Sequence, residues 1–271
     1  MLDLTAIIPT VGRFDEVNKL CLGLVSYNIK CIVVVDGPFE DPKGVLSDIK
    51  KSADIIYLER NVGQALATDK GIDIVDTNKI MLIDSDDFIT IDDVKRFEKE
   101  LDGIQSKQIL LPRSIAISGG RVIKRTSSIS SYSGKLRKNT FGAQSGVIFN
   151  REDYVSLGGQ SKKLASCKDW DMWIRALENG FFFHVYNADV FYSKSDDGIS
   201  RNLANVLKGR FQLWEAHPLL FTSFGRLYDW YLLLRYVAFN CEPAGHVNFS
   251  MLYNVFYPIH RIVFKLRKRF F

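Results

Sequence analysis

Four short, nearly unbroken apolar runs in the first third of the chain constrain its fold more than any other feature. They are Leu4-Thr5-Ala6-Ile7-Ile8, Cys31-Ile32-Val33-Val34-Val35, Ile55-Ile56-Tyr57-Leu58 and Lys79 to Ile83. Each is strand-length, rich in branched residues and closed by turn formers. The closing groups are Pro9-Thr10, Asp36-Gly37-Pro38, Glu59-Arg60-Asn61-Val62-Gly63 and Asp84-Ser85-Asp86-Asp87. Helical stretches separate the runs. Phe14 to Val25 places Val17, Leu20, Cys21 and Leu24 on one face; Gly44 to Ser52 and about Gln64 to Val75 follow. Strands that are apolar throughout are buried on both faces, which predicts a parallel sheet covered by helices on each side. Right-handed crossovers then fix the connections. The expected class is α/β, a mostly parallel, doubly wound sheet flanked by helices.

In open sheets of this kind ligands gather beyond the carboxyl ends of the strands. Here those ends carry Thr10, Asp36, Asn61 and Asp84. Each has a plainer explanation alone. Pro9-Thr10 leads into a helix, Asp36-Gly37 makes a turn, and Asn61 and Gly63 suit positive φ. Their convergence on one sheet edge favours a pocket. Neither GxGxxG nor GxxxxGK[ST] occurs, which argues against a dinucleotide fold or a P-loop.

The fourth strand runs directly into three carboxylates within four positions. Two like charges about 4 Å apart repel by roughly 4 kcal/mol at an effective dielectric near 20. Such crowding persists if the acids form a hydrated surface turn, or if a divalent cation lies between them. The Asp-x-Asp spacing of Asp84 and Asp86 offers oxygen ligands to Mn2+ or Mg2+, with water and phosphate oxygens completing the shell.

Further along, Asp92 to Leu101 has helical spacing, and Gln108 to Ile117 with Arg121 to Arg125 forms a hairpin about Ser118-Gly119-Gly120. Ser127 to Thr140 is a long polar loop, a lid, a substrate clamp or a plain connection. Gln144 to Phe149 reads as a strand and Leu157-Gly158-Gly159 as a turn. In the segment from Ser166 to Leu177, Trp170, Trp173, Ile174 and Leu177 share one helical face. Ser166 suits an N-cap, which places Asp169 at the third helical position as a capping-box acid.

Taken together and in this order, these pieces resemble the glycosyltransferases of family 2, inverting enzymes of GT-A fold that use nucleotide sugars. The marks are Ile7-Ile8-Pro9-Thr10, Val34-Val35-Asp36-Gly37, Asn61-x-Gly63, Asp69-Lys70-Gly71-Ile72 and Asp84-Ser85-Asp86-Asp87. Ser145 to Phe149 and Lys168-Asp169-Trp170-Asp171-Met172-Trp173-Ile174-Arg175 complete the set. The likeness covers roughly residues 4 to 201, which implies a catalytic domain over 1–201 and a helical C-terminal appendage over 202–271. It also implies residue roles. Pro9, Thr10 and Asp36 meet the nucleoside, and Asn61 and Gly63 shape the base pocket. Asp84, Ser85 and Asp86 match the DxD segment, with Asp84 and Asp86 as metal ligands. Asp169 is the catalytic base, and burial beside Trp170 and Trp173 would raise its pKa and strengthen it. Trp170 and Phe141 face the acceptor.

Three positions depart from the family pattern. Lys168 replaces the usual Glu before the base and is expected to point outward. Thr68-Asp69 replaces an Arg-Asn, leaving Lys70 or Arg13 to meet the phosphates. Ser195 stands near a position that often carries a His.

The net charge of +5 is mild, but no acid follows Glu242, while Arg261, Lys265, Arg267, Lys268 and Arg269 crowd the end. Leu203 to Leu213, Phe224 to Phe239 and Met251 to Phe271 have helical, strongly aromatic patterns, the last split near Pro258. Basic and aromatic helices of this kind bind anionic lipid surfaces; packing on the core or a homodimer interface is the alternative. No nucleic-acid recognition motif accompanies the basic tail. The four cysteines form no CxxC or zinc spacing, and a reducing compartment is expected. The chain enters a strand pattern at once and has no uncharged run long enough to span a bilayer. Joined to these features, the family resemblance implies a cytoplasmic enzyme, peripheral on the inner face of a bacterial membrane. It would move a hexose from a UDP-sugar to a saccharide or lipid-linked oligosaccharide of surface polysaccharide such as O-antigen. A nucleotide-sugar-binding scaffold of the same fold without turnover is the alternative. A sugar-nucleotide pyrophosphorylase fits less well, because Pro9-Thr10-Val11-Gly12-Arg13 lacks the Gly-rich loop of those enzymes.

Overall fold

A computed structural model describes residues 1–41, 44–118, 121–126, 144–193 and 203–218. These residues fall into two compact units, one of 1–126, 144–163 and 168–193, the other of 164–167 and 203–218.

The first unit begins with the expected alternation: β1 (Thr5–Thr10), α1 (Phe14–Ser26), β2 (Lys30–Asp36), α2 (Val45–Ile49), β3 (Asp54–Leu58), α3 (Gln64–Asp73) and β4 (Lys79–Leu82). The four strands pair in parallel in the order β3-β2-β1-β4. Their side chains alternate between two cores, as a period-two strand requires. Leu4, Ala6, Ile8, Cys31, Val33 and Val35 pack with the apolar face of α1. Ile7, Ile32 and Val34 face α3 on the other side, where Gly71 permits close approach. A Cβ on Gly71 would lie 2.6 Å from Ile7 Cγ2. β3 is the sheet edge and is only half covered, leaving Tyr57 51% exposed.

The second half adds β5 (Phe88–Thr90), α4 (Val94–Asp102), β6 (Gln108–Ser118), β7 (Arg121–Thr126), β8 (Val147–Asn150), α5 (Arg151–Ser156), α6 (Lys168–Glu178) and β9 (Phe182–Ser193). β8 inserts antiparallel between β4 and β6, β9 runs parallel to β6, and the whole order is β3-β2-β1-β4-β8-β6-β9-β5. β7 forms the expected hairpin with β6. The parallel half is therefore joined to a mixed half within one sheet, in a GT-A-like α/β fold. α4 is capped by Asp93, whose carboxylate accepts from Arg96 N at 3.0 Å. α6 lays Trp173 against Phe149 and Phe183.

In the second unit, α7 (Leu203–Ala216) occupies the first of the three C-terminal segments expected to be helical. Ala165 N donates to Gln212 Oε1 at 2.9 Å and Ser166 Oγ donates to Asn205 O at 3.0 Å. Ser166 thus uses its hydroxyl there rather than as a helix cap. α6 begins at Lys168 after Cys167, which has φ 60°, so Asp169 is the second helical residue and not the third. The segments Phe224 to Phe239 and Met251 to Phe271 lie outside the described residues, as do Phe141 and Ser195. Among the described residues no helix is long and apolar enough to cross a membrane.

Candidate functional site

The carboxyl ends of β1 and β4 bring the acidic segment and the β1–α1 turn together. After β4 the chain makes a tight turn, with Asp87 N donating to Asp84 O at 3.1 Å and Ser85 and Asp86 at its centre. Thr10, buried at the end of β1, donates its hydroxyl to Gly12 O. Arg13 follows in the left-handed region at φ 55°, and its Nη1 reaches Asp86 Oδ2 at 2.9 Å. A guanidinium therefore sits against the acidic turn. Of the two cations expected to meet phosphate, Arg13 joins the acids. Lys70 does not: it is exposed on α3 and pairs with Asp73 at 3.3 Å. That salt bridge runs along the helix surface toward its last turn, away from the acids beside the first.

Asp84 is held by two side-chain amides. Its Oδ1 accepts from Gln64 Nε2 at 2.6 Å and Gln144 Nε2 at 2.8 Å. Its backbone N–H donates to Ser145 Oγ at 3.0 Å, and the same hydroxyl donates to Asp87. Behind Gln144, the Gln160 amide donates to its Oε1. Burial pushes the Asp84 carboxyl up, the neighbouring Asp86 charge adds to this, and the amide and hydroxyl donors oppose it. Asp87, only 7% exposed, is pushed up to about 8, first by burial and then by the charge of Asp84. Tyr192 of β9 is raised too, by burial and by the nearby Asp87 charge.

Asp36, at the end of β2, braces the next turn. Its two oxygens accept from Val62 N at 2.7 Å and Gly63 N at 2.8 Å. Asn61 Oδ1 also accepts from Gly63 N at 3.1 Å, while the Asn61 residue itself is exposed. Gly63 has φ 86° and ψ 152°, a conformation essentially confined to glycine. Pro9 is buried within β1, in register with Val34, and supports the edge from below.

The remaining expected residues divide. Asp169 is half-buried in the first turn of α6. Lys168 does not point fully outward as expected: it is half-buried, and desolvation lowers its pKa. Trp170 is 3% exposed, so its ring is core and presents no open face to an acceptor. Asp69, in the position of the family's Asn, receives Lys162 Nζ at 2.5 Å and the Tyr154 hydroxyl at 3.4 Å. These contacts tie the segment after α5 to α3.

The sequence reading passed over Gln64, Gln144 and Gln160. Neutral amides carry no spacing signal, and these three meet only because β8 inserts beside β4. Asp87 and Ser145 lay inside quoted motifs, but nothing in the string paired them.

The donor set suits a small hard cation. Asp84 and Asp86 each retain one carboxylate oxygen with no hydrogen-bond partner among the described residues. Burial and mutual repulsion leave the cluster short of positive charge. No group of three or more His, Cys, Asp or Glu side chains forms a metal cage among the described residues. Mg2+ characteristically binds through one or two carboxylates and completes its shell with substrate phosphates and water.

The fold is an α/β sheet whose parallel strands end, at their carboxyl edge, in the acids and Arg13, the edge where open sheets of this kind gather ligands. The sequence profile of glycosyl transferase family 2 matches residues 5–156. The chain belongs to that family. No curated protein matches it. Among solved structures, it is similar to S. aureus TarS 1–349 in complex with UDP-GlcNAc, with a TM-score of 0.59 at 14% identity over 88% of this chain and 72% of that one. The UDP complex of the same protein gives a TM-score of 0.57 at 14% identity, over 88% and 71% of the two chains. At such identity the likeness is one of fold.

Proposed function

We propose that this protein transfers a hexose from a UDP-sugar to a hydroxyl of a saccharide acceptor, with inversion at the anomeric carbon. The observation that carries this reading is the cluster of Asp84, Asp86 and Arg13 at the carboxyl edge of β1 and β4, in a chain of family 2. The UDP-GlcNAc and UDP complexes of TarS support a uridine diphosphate donor.

In this reading Thr10, Asp36, Asn61 and Gly63 line the nucleoside end. Asp36 works mainly by fixing the 61–63 turn, since both its oxygens already hold backbone N–H groups. Asp84 and Asp86 would hold Mn2+ or Mg2+, which would supply positive charge to the departing diphosphate. Arg13 exchanges its bond to Asp86 for a phosphate oxygen, for which a guanidinium fork is well suited. Asp169 takes the proton of the acceptor hydroxyl as that oxygen attacks the anomeric carbon. Attack from the face opposite the leaving group converts an α-linked donor into a β-glycoside. The acceptor is a saccharide, lipid-linked in surface polysaccharide assembly.

Lys168, half-buried beside Asp169, favours a second reading in which the chain binds a nucleotide sugar without turnover. A calorimetric panel of nucleotides and nucleotide sugars, with Mn2+ and with EDTA, tests the donor site. Metal-dependent binding of UDP and one UDP-sugar is the expected result. Absence of binding across the panel would overturn the donor assignment. Binding without transfer or hydrolysis at saturating donor and metal would favour the second reading.

A further inference from the structure

Asp84 Oδ1 receives two glutamine amides, from Gln64 at 2.6 Å and Gln144 at 2.8 Å. Both contacts run from Nε2, so both glutamines present their NH2 groups to this oxygen. For Gln144 this turns Oε1 the opposite way, where Gln160 donates to it. The direction of the chain is therefore forced: Gln160 to Gln144 to Asp84. Gln144 and Gln160 are 7% and 2% exposed, and the Gln160 backbone N–H donates to the Tyr154 hydroxyl at 3.3 Å. The inner two links of this chain are thus locked inside the protein. Gln64 approaches the same oxygen from the first turn of α3.

One donor would satisfy a buried carboxylate oxygen. Two donors on Oδ1 leave it little capacity for anything else, while Oδ2 has no partner among the described residues. A cation at this edge meets Asp84 through one oxygen. Bidentate contact would strip charge-assisted hydrogen bonds from Oδ1 and leave buried amides unpaired, which is costly.

We infer that Gln64 and Gln144, backed by Gln160, are positioning residues that hold Asp84 to single-oxygen coordination and so select Mg2+ or Mn2+ over Ca2+. The inference rests on the reading of Asp84 and Asp86 as cation ligands. Its physical basis is coordination geometry. Ca2+ gathers six to eight oxygens and often takes a carboxylate by both, whereas Mg2+ demands a compact octahedron of single oxygens. Mn2+ shares the octahedral preference. The amides act by closing one of the two sites on Asp84, without touching the ion themselves.

The experiment is an electron paramagnetic resonance titration of Mn2+ in the presence of UDP, competed with Ca2+. It compares wild type with Gln64→Leu, Gln144→Leu and Gln160→Leu. Wild type is expected to prefer Mn2+. Gln144→Leu and Gln64→Leu are expected to shrink the Mn2+ to Ca2+ affinity ratio by about tenfold or more, the scale of losing a ligand's supporting bond. Gln160→Leu is expected to shrink it less. A purely structural role would weaken both ions together and leave the ratio unchanged, and that result overturns the inference alone. Wild type that binds no divalent ion with UDP overturns the ligand reading and the inference with it. Gln64 lies on a half-exposed helical turn, so its variant decides the question if Gln144→Leu fails to fold.

Discussion

Asp87 carries a heavy electrostatic load for a residue that the sequence shows only as the last letter of an acidic turn. Burial and the charge of Asp84 push its carboxyl up to about 8, with Ser145 donating to it. The folded chain therefore holds a proton that the unfolded chain has already released near neutral pH. Stability from this group is full below the ordinary carboxylate range and is lost as pH rises through about 8. In EDTA, the wild-type melting temperature is expected to fall between about pH 6 and about pH 9, and Asp87→Asn is expected to flatten that slope. Asp84 is raised in the same sense, so part of the slope should survive in the variant. Equal slopes would remove Asp87 from the account. A second residue-scale prediction concerns Asp169. Asp169→Asn should keep UDP-sugar binding by calorimetry and lose transfer by at least about 10²-fold, the usual scale for a general base. Near wild-type transfer would require another base. The carboxylates of this edge were legible because charge against apolar strand is a strong contrast. Of the two cations offered for the phosphates, Arg13 lies at the acids, while Lys70 pairs with Asp73 at i,i+3 on α3. Trp170 is buried, and a large aromatic beside a candidate base reads equally well as core in the sequence.

Gly71 decides how closely α3 packs on the sheet. An added Cβ would lie 2.6 Å from Ile7 Cγ2 and 3.1 Å from Val34 Cγ2, both fully buried branched residues. Gly71→Ala is expected to cost about 1–3 kcal/mol in chemical denaturation, the range for overpacking a filled core. Gly23, in the exposed face of α1, has no atom within 4 Å of an added Cβ. Gly23→Ala is expected to be neutral or to stabilise by up to about 1 kcal/mol through helix propensity and unfolded-state entropy. A Gly71→Ala variant as stable as Gly23→Ala would show that α3 can shift to make room. The same packing explains why the first four strands could be read directly. Each is an apolar run flanked by helices, and neighbours in sequence are also close in the sheet. Beyond β4 that relation ends. Ile80 pairs with Phe149, 69 positions away, and no local pattern announces it. β5 has only three residues, too few for a period. β9 hides its strand character behind His184, Asn187 and Asp189, and Asp189 is tolerated because Arg113 pairs with it at 2.5 Å.

At the scale of the whole molecule, charge is distributed as unevenly as function. The acids at the carboxyl ends of β2 and β4 lie before residue 90, whereas no Asp or Glu follows Glu242 and five Lys or Arg lie from Arg261 to Arg269. A protein that acts on a lipid-linked saccharide gains from being held at the surface where that acceptor resides. Each basic side chain near an anionic leaflet contributes about 1 kcal/mol, and interleaved Phe and Tyr add reversible apolar insertion. Full-length protein is therefore expected to co-sediment with vesicles containing phosphatidylglycerol and to remain in solution with neutral phosphatidylcholine vesicles. Replacing Lys265, Arg267, Lys268 and Arg269 by Ser should lower the partition coefficient by at least about tenfold. Raising salt should weaken wild-type binding as the Debye length shortens. Donor affinity in solution should not change, because the substitutions alter none of Thr10, Arg13, Asp36, Asp84 and Asp86. Binding that ignores lipid charge, salt and these substitutions would assign the basic end to packing or to a homodimer contact. The enzyme would then have to meet its acceptor through the catalytic unit alone.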